Sequence, residues 1–317
     1  MSVIVFENPS GRHQSQFSLR IKILFYMVCF KKISIFTIKI PAKTFMLKNM
    51  DSTIYQQIKF SKFHGAGNDF IMINAMNGHL LLEEKIIFEM CDRRTGIGAD
   101  GLIVLMPSDT HDFRMKYYNC DGRESTFCGN GGRCIAAFAH QQGIISGHAT
   151  YEAVDGIHKA KITEISSKEF HVELTMQDIL SYKLDDGSLL IDTGSPHYVK
   201  KVNELDNLDV INKGAEIRYD KKISENGVNV DFLLNEGGKY HIRTYERGVE
   251  NETLACGTGV TASAIAASLW YGGNDIDIHT MIAKLNVKFD KEDNCFRNIV
   301  LSGPAAHVFD GMFIFAN

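Results

Sequence analysis

CGNGGRCIAAFAH (residues 128–140) and CGTGVTASAIAASLW (residues 256–270) are two versions of one design. Each is a cysteine, a glycine-rich turn and a run of small apolar residues with helical spacing. The approaches match as well. Phe113–Asn119 and Lys239–Glu246 alternate like strands, a glycine follows, and Glu124 and Glu252 each stand four residues before the thiol. Working outward, the order repeats: strand, glycine turn, helix, strands, thiol, apolar helix, strands. The first turn is His64-Gly65-Ala66-Gly67-Asn68-Asp69 and the second Thr193-Gly194-Ser195-Pro196-His197. Helices this small and apolar are enclosed, not laid on a surface. The expected fold is therefore α/β of the α+β kind. Two pseudo-symmetric domains each curl a mostly antiparallel sheet around one central helix.

The expected boundaries are an N-terminal half over 58–177 plus 303–317, a C-terminal half over 178–302, and an extension outside the fold over 1–57. Within that extension, residues 21–40 are apolar and β-branched, but Lys22, Lys31, Lys32 and Lys39 interrupt them. A membrane span wants about 20 apolar residues with few charges, and a signal peptide would end in small residues. Met46 and Met50, just before the first strong strand pattern, suit a later start of translation. Strands are expected at 58–63, 70–74, 102–106, 157–162, 169–175, 188–192, 198–202, 228–234, 240–245, 280–289 and 297–302. A separate apolar segment is expected at 303–317. Helices are expected at 81–92, at 132–142, over part of 207–220, and from Cys256 to about Tyr271.

The 317 residues exceed one ordinary core. A net charge of -4 gives no electrostatic footprint for nucleic acid. The seven cysteines are odd in number, irregularly spaced and without a CxxC pair, which fits neither a disulfide framework nor a structural zinc site. Cys120, Cys128 and Cys134 lack a fourth ligand at a usual spacing, so no metal is expected. A reducing cytoplasm fits best. Neither glycine turn is a phosphate loop or a dinucleotide fingerprint.

A cysteine at a helix start meets unpaired N–H groups and the positive end of the helix dipole. Both favour thiolate, so depressed thiol pKa values are expected at Cys128 and Cys256. The same N–H groups can hold a carboxylate and polarise it as the neighbouring carbon loses a proton. Two opposed thiols then form a symmetric device. One, as thiolate, removes a proton from a carbon, and the other, as thiol, returns one to the far face. No cofactor is needed for that. A non-catalytic carboxylate binder would use the same helix starts.

At this point the chain resembles the diaminopimelate epimerase family, from about Ile58 to Gly311. The marks are FSKFHGAGNDF (60–70), GIGADGL (96–102), YNCDG (118–122), CGNGGRC (128–134), GSPH (194–197), YERG (245–248), ACGTG (255–259) and GPAAHVFDG (303–311). The resemblance implies cofactor-free interconversion of LL- and meso-diaminopimelate, on the route to lysine and peptidoglycan. It implies a homodimer, with contact in the region of Phe309. It implies Cys128 and Cys256 as the acid/base pair, and donors around the reacting carboxylate from Gly129, Asn130, Gly257 and Thr258. Asn68, Asn119, Asn229, Glu246 and Arg247 match substrate-holding positions, and His197 and Glu246 match residues that tune the thiols. Arg247 suits the distal carboxylate in a bidentate fork, though Glu246-Arg247 also reads as a surface ion pair. Gly101 and Ser195 depart from members with Gln and Asn there; Ser195 has the shorter reach, so its substrate contact is lost or water-bridged. The rivals are a proline racemase or hydroxyproline epimerase, with the same thiol pair, and a phenazine-type isomerase, which lacks it.

Overall fold

Period-two alternation and β-branched runs make this chain mostly strand, and the computed structural model shows how two helices are wrapped. It describes residues 55–316 except His79, Leu81 and Asp186, together with three short strands nearer the N-terminus. Those are β1 (Val3–Phe6), β2 (Arg20–Leu24) and β3 (Ile35–Lys39), paired antiparallel in that order. The rest of the expected extension over 1–57, up to residue 54, lies outside the described residues.

The main body runs from Gln56 to Phe315. Its first half is β4 (Tyr55–Gly65), β5 (Asn68–Asn74), α1 (Glu84–Cys91), β6 (Gly101–Met106), β7 (Phe113–Asn119), α2 (Gly129–Gln141), β8 (His148–Ala153), β9 (Gly156–Glu164) and β10 (Glu169–Thr175). After β11 (Tyr182–Asp185) the series recurs as β12 (Ser188–Asp192), β13 (Pro196–Val202), α3 (Val210–Arg218), β14 (Asn229–Glu236) and β15 (Lys239–Glu246). Then come β16 (Asn251–Thr253), α4 (Gly257–Tyr271), β17 (Asp275–His279), β18 (Lys284–Glu292) and β19 (Cys295–Ala316). The pairings repeat too. β5 lies parallel to β6 across α1 and β7 to β8 across α2; β13 lies parallel to β14 across α3 and β15 to β17 across α4. Most of the remaining ladders are antiparallel, as expected.

Strand β19 belongs to both halves. Its early residues pair with β18, and residues 300–306 pair with β10. It also neighbours β4, so β4 to β10 close into a ring with β19 around α2. In the second half the sheet runs from β19 through β18, β17, β15, β14, β13 and β12 to β11. A bridge from Ile179 to Phe296 brings the chain back toward β19. Helix α2 is buried from Gly129 to Ala139 and α4 from Gly257 to Ser268, since small side chains let a sheet close on every face. Strand β6 shows the layering. Ile103 and Leu105 face α2 in the main core, while Leu102 and Val104 face α1 outside.

Two expectations need correcting. Residues 280–289 are not one strand: Thr280 and Ala283 hydrogen-bond to each other in the turn between β17 and β18. Residues 303–317 are not a separate segment, because β19 runs unbroken through Gly303 and Pro304 to Ala316. Pro304 donates no backbone hydrogen bond, yet the register with β10 is kept through it, with Pro304 opposite His171.

Candidate active site

The two thiols are the N-caps of the two enclosed helices, in nearly the same backbone conformation. Cys128 has φ -121° and ψ 118°, and Cys256 has φ -114° and ψ 116°. The carbonyl of each accepts the first helical bond, from Gly132 at 2.7 Å and from Val260 at 2.8 Å. The helices begin three residues earlier than the expected Gly132 in the first case, since glycine and asparagine start the turn themselves. The starts abut. A Cβ on Gly257 would lie 3.1 Å from the Gly129 Cα and 3.3 Å from the Asn130 N. Only glycine allows that approach. The side chain of Asn130 crosses the seam, donating to the Ala255 carbonyl at 2.8 Å.

On the first side, the Cys128 thiol donates to the Asn68 carbonyl oxygen at 3.6 Å, and Asn130 donates to the same oxygen at 3.3 Å. Asn68 sits just after the two-residue turn Ala66-Gly67, both with positive φ, as a tight hairpin requires. Its amide is held by Asp100, which accepts from Asn68 Nδ2 at 2.7 Å. Asp100 and Asp69 accept each other's backbone N–H, and both grip Arg93. Lys62 adds an ion pair to Asp69 at 2.7 Å. Burial alone would raise the Asp69 carboxyl, but the bonds from Arg93 and Lys62 bring it down to about 2. Arg133 is fully buried under Cys128, its guanidinium donating to the Gly129 carbonyl at 3.2 Å and to Asn130 Oδ1 at 2.8 Å.

On the second side, Cys256 Sγ lies 3.3 Å from Thr258 Oγ1, which lies 2.8 Å from His197 Nε2. His197 Nδ1 meets Asp231 Oδ2 at 2.7 Å, and Asp231 Oδ1 accepts from Thr244 at 2.7 Å. Asn229 donates to Ser195 Oγ at 2.8 Å and accepts from the Arg247 backbone at 2.8 Å. Ser195 therefore points inward toward Asn229. Asn119 is exposed at the end of β7, opposite Gly101. The guanidinium of Arg247 reaches only the Gly227 carbonyl, at 3.5 Å. It makes no salt bridge among the described residues, so the surface ion pair with Glu246 is not formed.

The expected depression of the thiol pKa values is overturned. Burial pushes Cys128 up to about 11; the N–H groups of Gly131 and Asn130 pull it back only in part, and the Glu246 charge adds to the rise. Burial raises Cys256 as well, with Glu246 and Asp231 adding to it and Thr258 and the Gly259 N–H opposing. The helix-start effect is present at both, but loss of water outweighs it. Burial likewise raises the Glu246 carboxyl.

Sequence reasoning missed Asp231, Asp100, Arg93, Lys62 and Arg133. Asp231 had a signal: it is a lone acid in the apolar run VNVDFLL (228–234). The duplicated glutamates prove to be braces. Glu124 pairs with Lys116 and Glu252 with Arg243, at matching places on β7 and β15. Cys134 is buried within α2 while Cys120 is exposed at a turn.

A duplicated sheet wrapped around two helices that meet at their starts places the chain in a class of solved α+β folds. One is a hydroxyproline epimerase from Agrobacterium vitis with bound trans-4-OH-L-proline, at TM-score 0.65 and 12% identity over 84% of this chain and 93% of that one. Another is a PhzF-family phenazine biosynthesis protein from Bacillus anthracis, at TM-score 0.62 and 16% identity over 81% and 99%. These likenesses are of fold alone. The family model described as diaminopimelate epimerase matches residues 60–178 and 189–308. The diaminopimelate epimerase of Flavobacterium psychrophilum is 45% identical over 80% of this chain and 99% of its own length. That of Chlorobaculum tepidum is 42% identical over 78% and 98%. The chain belongs to the diaminopimelate epimerase family.

Proposed function

We propose that this protein epimerises LL-diaminopimelate to meso-diaminopimelate by two-thiol proton transfer at the α-carbon. The observation that carries this reading is the pair of N-cap cysteines at two helix starts in contact. The reacting carboxylate sits on the N–H groups of Gly129, Asn130, Gly257 and Thr258, where charge builds as the proton leaves. One of Cys128 and Cys256 takes the α-hydrogen as thiolate, and the other delivers a proton to the opposite face. Arg247, whose guanidinium has no carboxylate partner among the described residues, takes the distal carboxylate. Glu246 pairs with the distal ammonium, and Asn68, Asn119, Asn229 and Ser195 complete the pocket. His197 tunes the Cys256 side through Thr258. The chemistry asks nothing of a cofactor.

The enzyme works in the cytoplasm, where thiols stay reduced, in lysine and peptidoglycan precursor synthesis. No helix among the described residues is long and apolar enough to cross a membrane. It acts as a homodimer through the end of β19, where Val308, Phe309, Met312 and Ile314 are exposed. The two halves divide near residues 177 and 303.

The deciding assay follows LL-diaminopimelate in deuterated water. The expected result is meso product carrying solvent deuterium, and loss of about 10²–10⁴-fold or more in Cys128→Ala and in Cys256→Ala. Inversion of proline instead would hand the site to the racemase reading. Ligand binding without deuterium uptake would make it a carboxylate binder.

A further inference from the structure

The two half-sites are not equivalent, and the difference lies in buried residues. Register fixes the correspondence. In the first half Phe70 pairs with Gly101, and in the second His197 pairs with Asn229. Two residues on, Ile103 stands where Asp231 stands. The glycine contacts agree: a Cβ on Gly131 would meet Ile103, and one on Gly259 would meet Asp231. So beside Cys128 the chain places Phe70 and Ile103, and beside Cys256 it places His197 and Asp231. Both His197 and Asp231 are 0% exposed. A buried carboxylate costs several kcal/mol unless something uses or compensates it.

The hydrogen bonds run in one direction. A carboxylate only accepts, so His197 Nδ1 carries the proton shared with Asp231 at 2.7 Å. That leaves the Nε2 lone pair facing Thr258, and Asn229 Nδ2, a donor, also lies 3.3 Å from it. Thr258 then donates to Nε2 and accepts from the Cys256 thiol. On the other side, the Cys128 thiol donates to an amide carbonyl, which takes no proton.

We propose that Asp231 is a positioning residue that holds His197 as the terminal proton acceptor of a relay from Cys256 through Thr258. In the relay the Cys256 S–H bond breaks as a new Thr258 O–H bond forms. The former Thr258 O–H breaks as His197 Nε2–H forms. The products are a thiolate, an intact alcohol and an imidazolium against the Asp231 carboxylate, with proton count and charge conserved. Asp231 stays ionised throughout and lowers the cost of the imidazolium. Burial keeps the Cys256 thiol protonated toward bulk water, so an internal acceptor is what frees it. The other charges acting there are Glu246 on β15, which opposes thiolate at both cysteines, and Arg133 on α2, which favours it at Cys128. The empty enzyme therefore stands with Cys256 ready as base and Cys128 ready as acid. The isomer whose α-hydrogen faces Cys256 reacts once the relay has moved one proton from that thiol to His197.

This inference rests on the epimerase reading, and its test separates the two. Asp231→Asn keeps the shape but lets the amide donate to Nδ1, forcing the tautomer with Nε2 protonated. Iodoacetamide labelling of the substrate-free full chain near neutral pH is followed on the Cys128 and Cys256 peptides. The expected result is a slowing of Cys256 by about tenfold or more, with Cys128 changed less than about twofold, since only one thiol loses its acceptor. Nitrogen-15 shifts of His197 should report the tautomer change. Epimerisation should fall by about 10²–10⁴-fold, the scale of a wrong-tautomer histidine. If Asp231→Asn does not fold by circular dichroism, Thr258→Val takes its place, with recovery expected in Thr258→Ser. Equal slowing of both thiols, or an unchanged Cys256 rate in a folded variant, overturns the relay. A wild type inert toward diaminopimelate overturns the function instead, because labelling uses no substrate.

Discussion

Arg247 has a side chain that the protein itself explains only in small part. Its backbone is fixed by Asn229, while its guanidinium meets one distant carbonyl. A half-buried cation left free of carboxylates is suited to an anionic ligand group. Arg247→Met should raise KM by about 100-fold, the worth of about 3 kcal/mol for charge-assisted hydrogen bonds, while thiol labelling stays as in the wild type. An unchanged KM would remove Arg247 from the substrate's distal end. This residue was legible in sequence because YERG carries it beside an acid at a strand end. Asp231 was not read, although a carboxylate amid VNVDFLL is conspicuous. Its meaning depends on His197, which is 34 positions away and becomes a neighbour only when β13 and β14 pair in parallel. The thiol pKa values were misjudged for a related reason. A helix start can be read from local pattern, but burial depends on which surfaces meet across the seam, and here burial dominates.

At the scale of elements, the contact of α2 and α4 makes a prediction about oxidation. Their N-caps precede glycines whose backbones approach closely, which brings the two thiol-bearing helix starts together. A sample treated with oxidant in the absence of ligand should lose activity and yield a reducible Cys128–Cys256 peptide pair, both reversed by dithiothreitol. Full activity after oxidation, with no such pair, would speak against facing thiols. The repeated element order was readable because each thiol unit carries its own strand before and helix after. Strand ends were harder. The turn at Thr280 to Ala283 contains no glycine or proline, so the expected strand over 280–289 took it in with β18, while β17 went unread. Gly303-Pro304 resembles a stop, yet β19 runs on, because its pairing with β10 continues across them after that with β18 ends at Ser302.

At the scale of the whole molecule, its titrating groups bound the pH range of stability from both sides. Burial holds Cys91 at about 12 and Cys128 at about 11, against an ordinary value of 9.0. An unfolded chain would release those protons first, so this stability is complete below about 9 and is lost as pH rises through 11 to 12. Asp69 runs the other way: its contribution is present above 3.8 and disappears as pH falls through about 2. The urea midpoint should be level from about pH 5 to 8 and decline beyond about 9 and below about 4. A midpoint that climbs above pH 9 would contradict the burial of these thiols. Assembly also belongs to this scale. The exposed Phe309 packs its ring edge against Phe60 in its own chain, 5.9 Å between centroids, among the other apolar residues at the end of β19. For the dimer proposed above, Phe309→Asp should shift the sedimentation coefficient to that of a monomer; a wild type that sediments as a monomer would remove the dimer, and a variant that stays dimeric would place the interface elsewhere.

Strand β19 also ties the two halves together. Being laced into both sheets, it acts as the spine of a book. The covers cannot be pulled off, because parting them there would tear a ladder of amide bonds. What can lift without that loss is a side-chain clasp, such as Gly67 resting against Ile282 and Leu254 across the seam. Parting contacts of that kind breaks no rung of the spine, which holds the two pages in register.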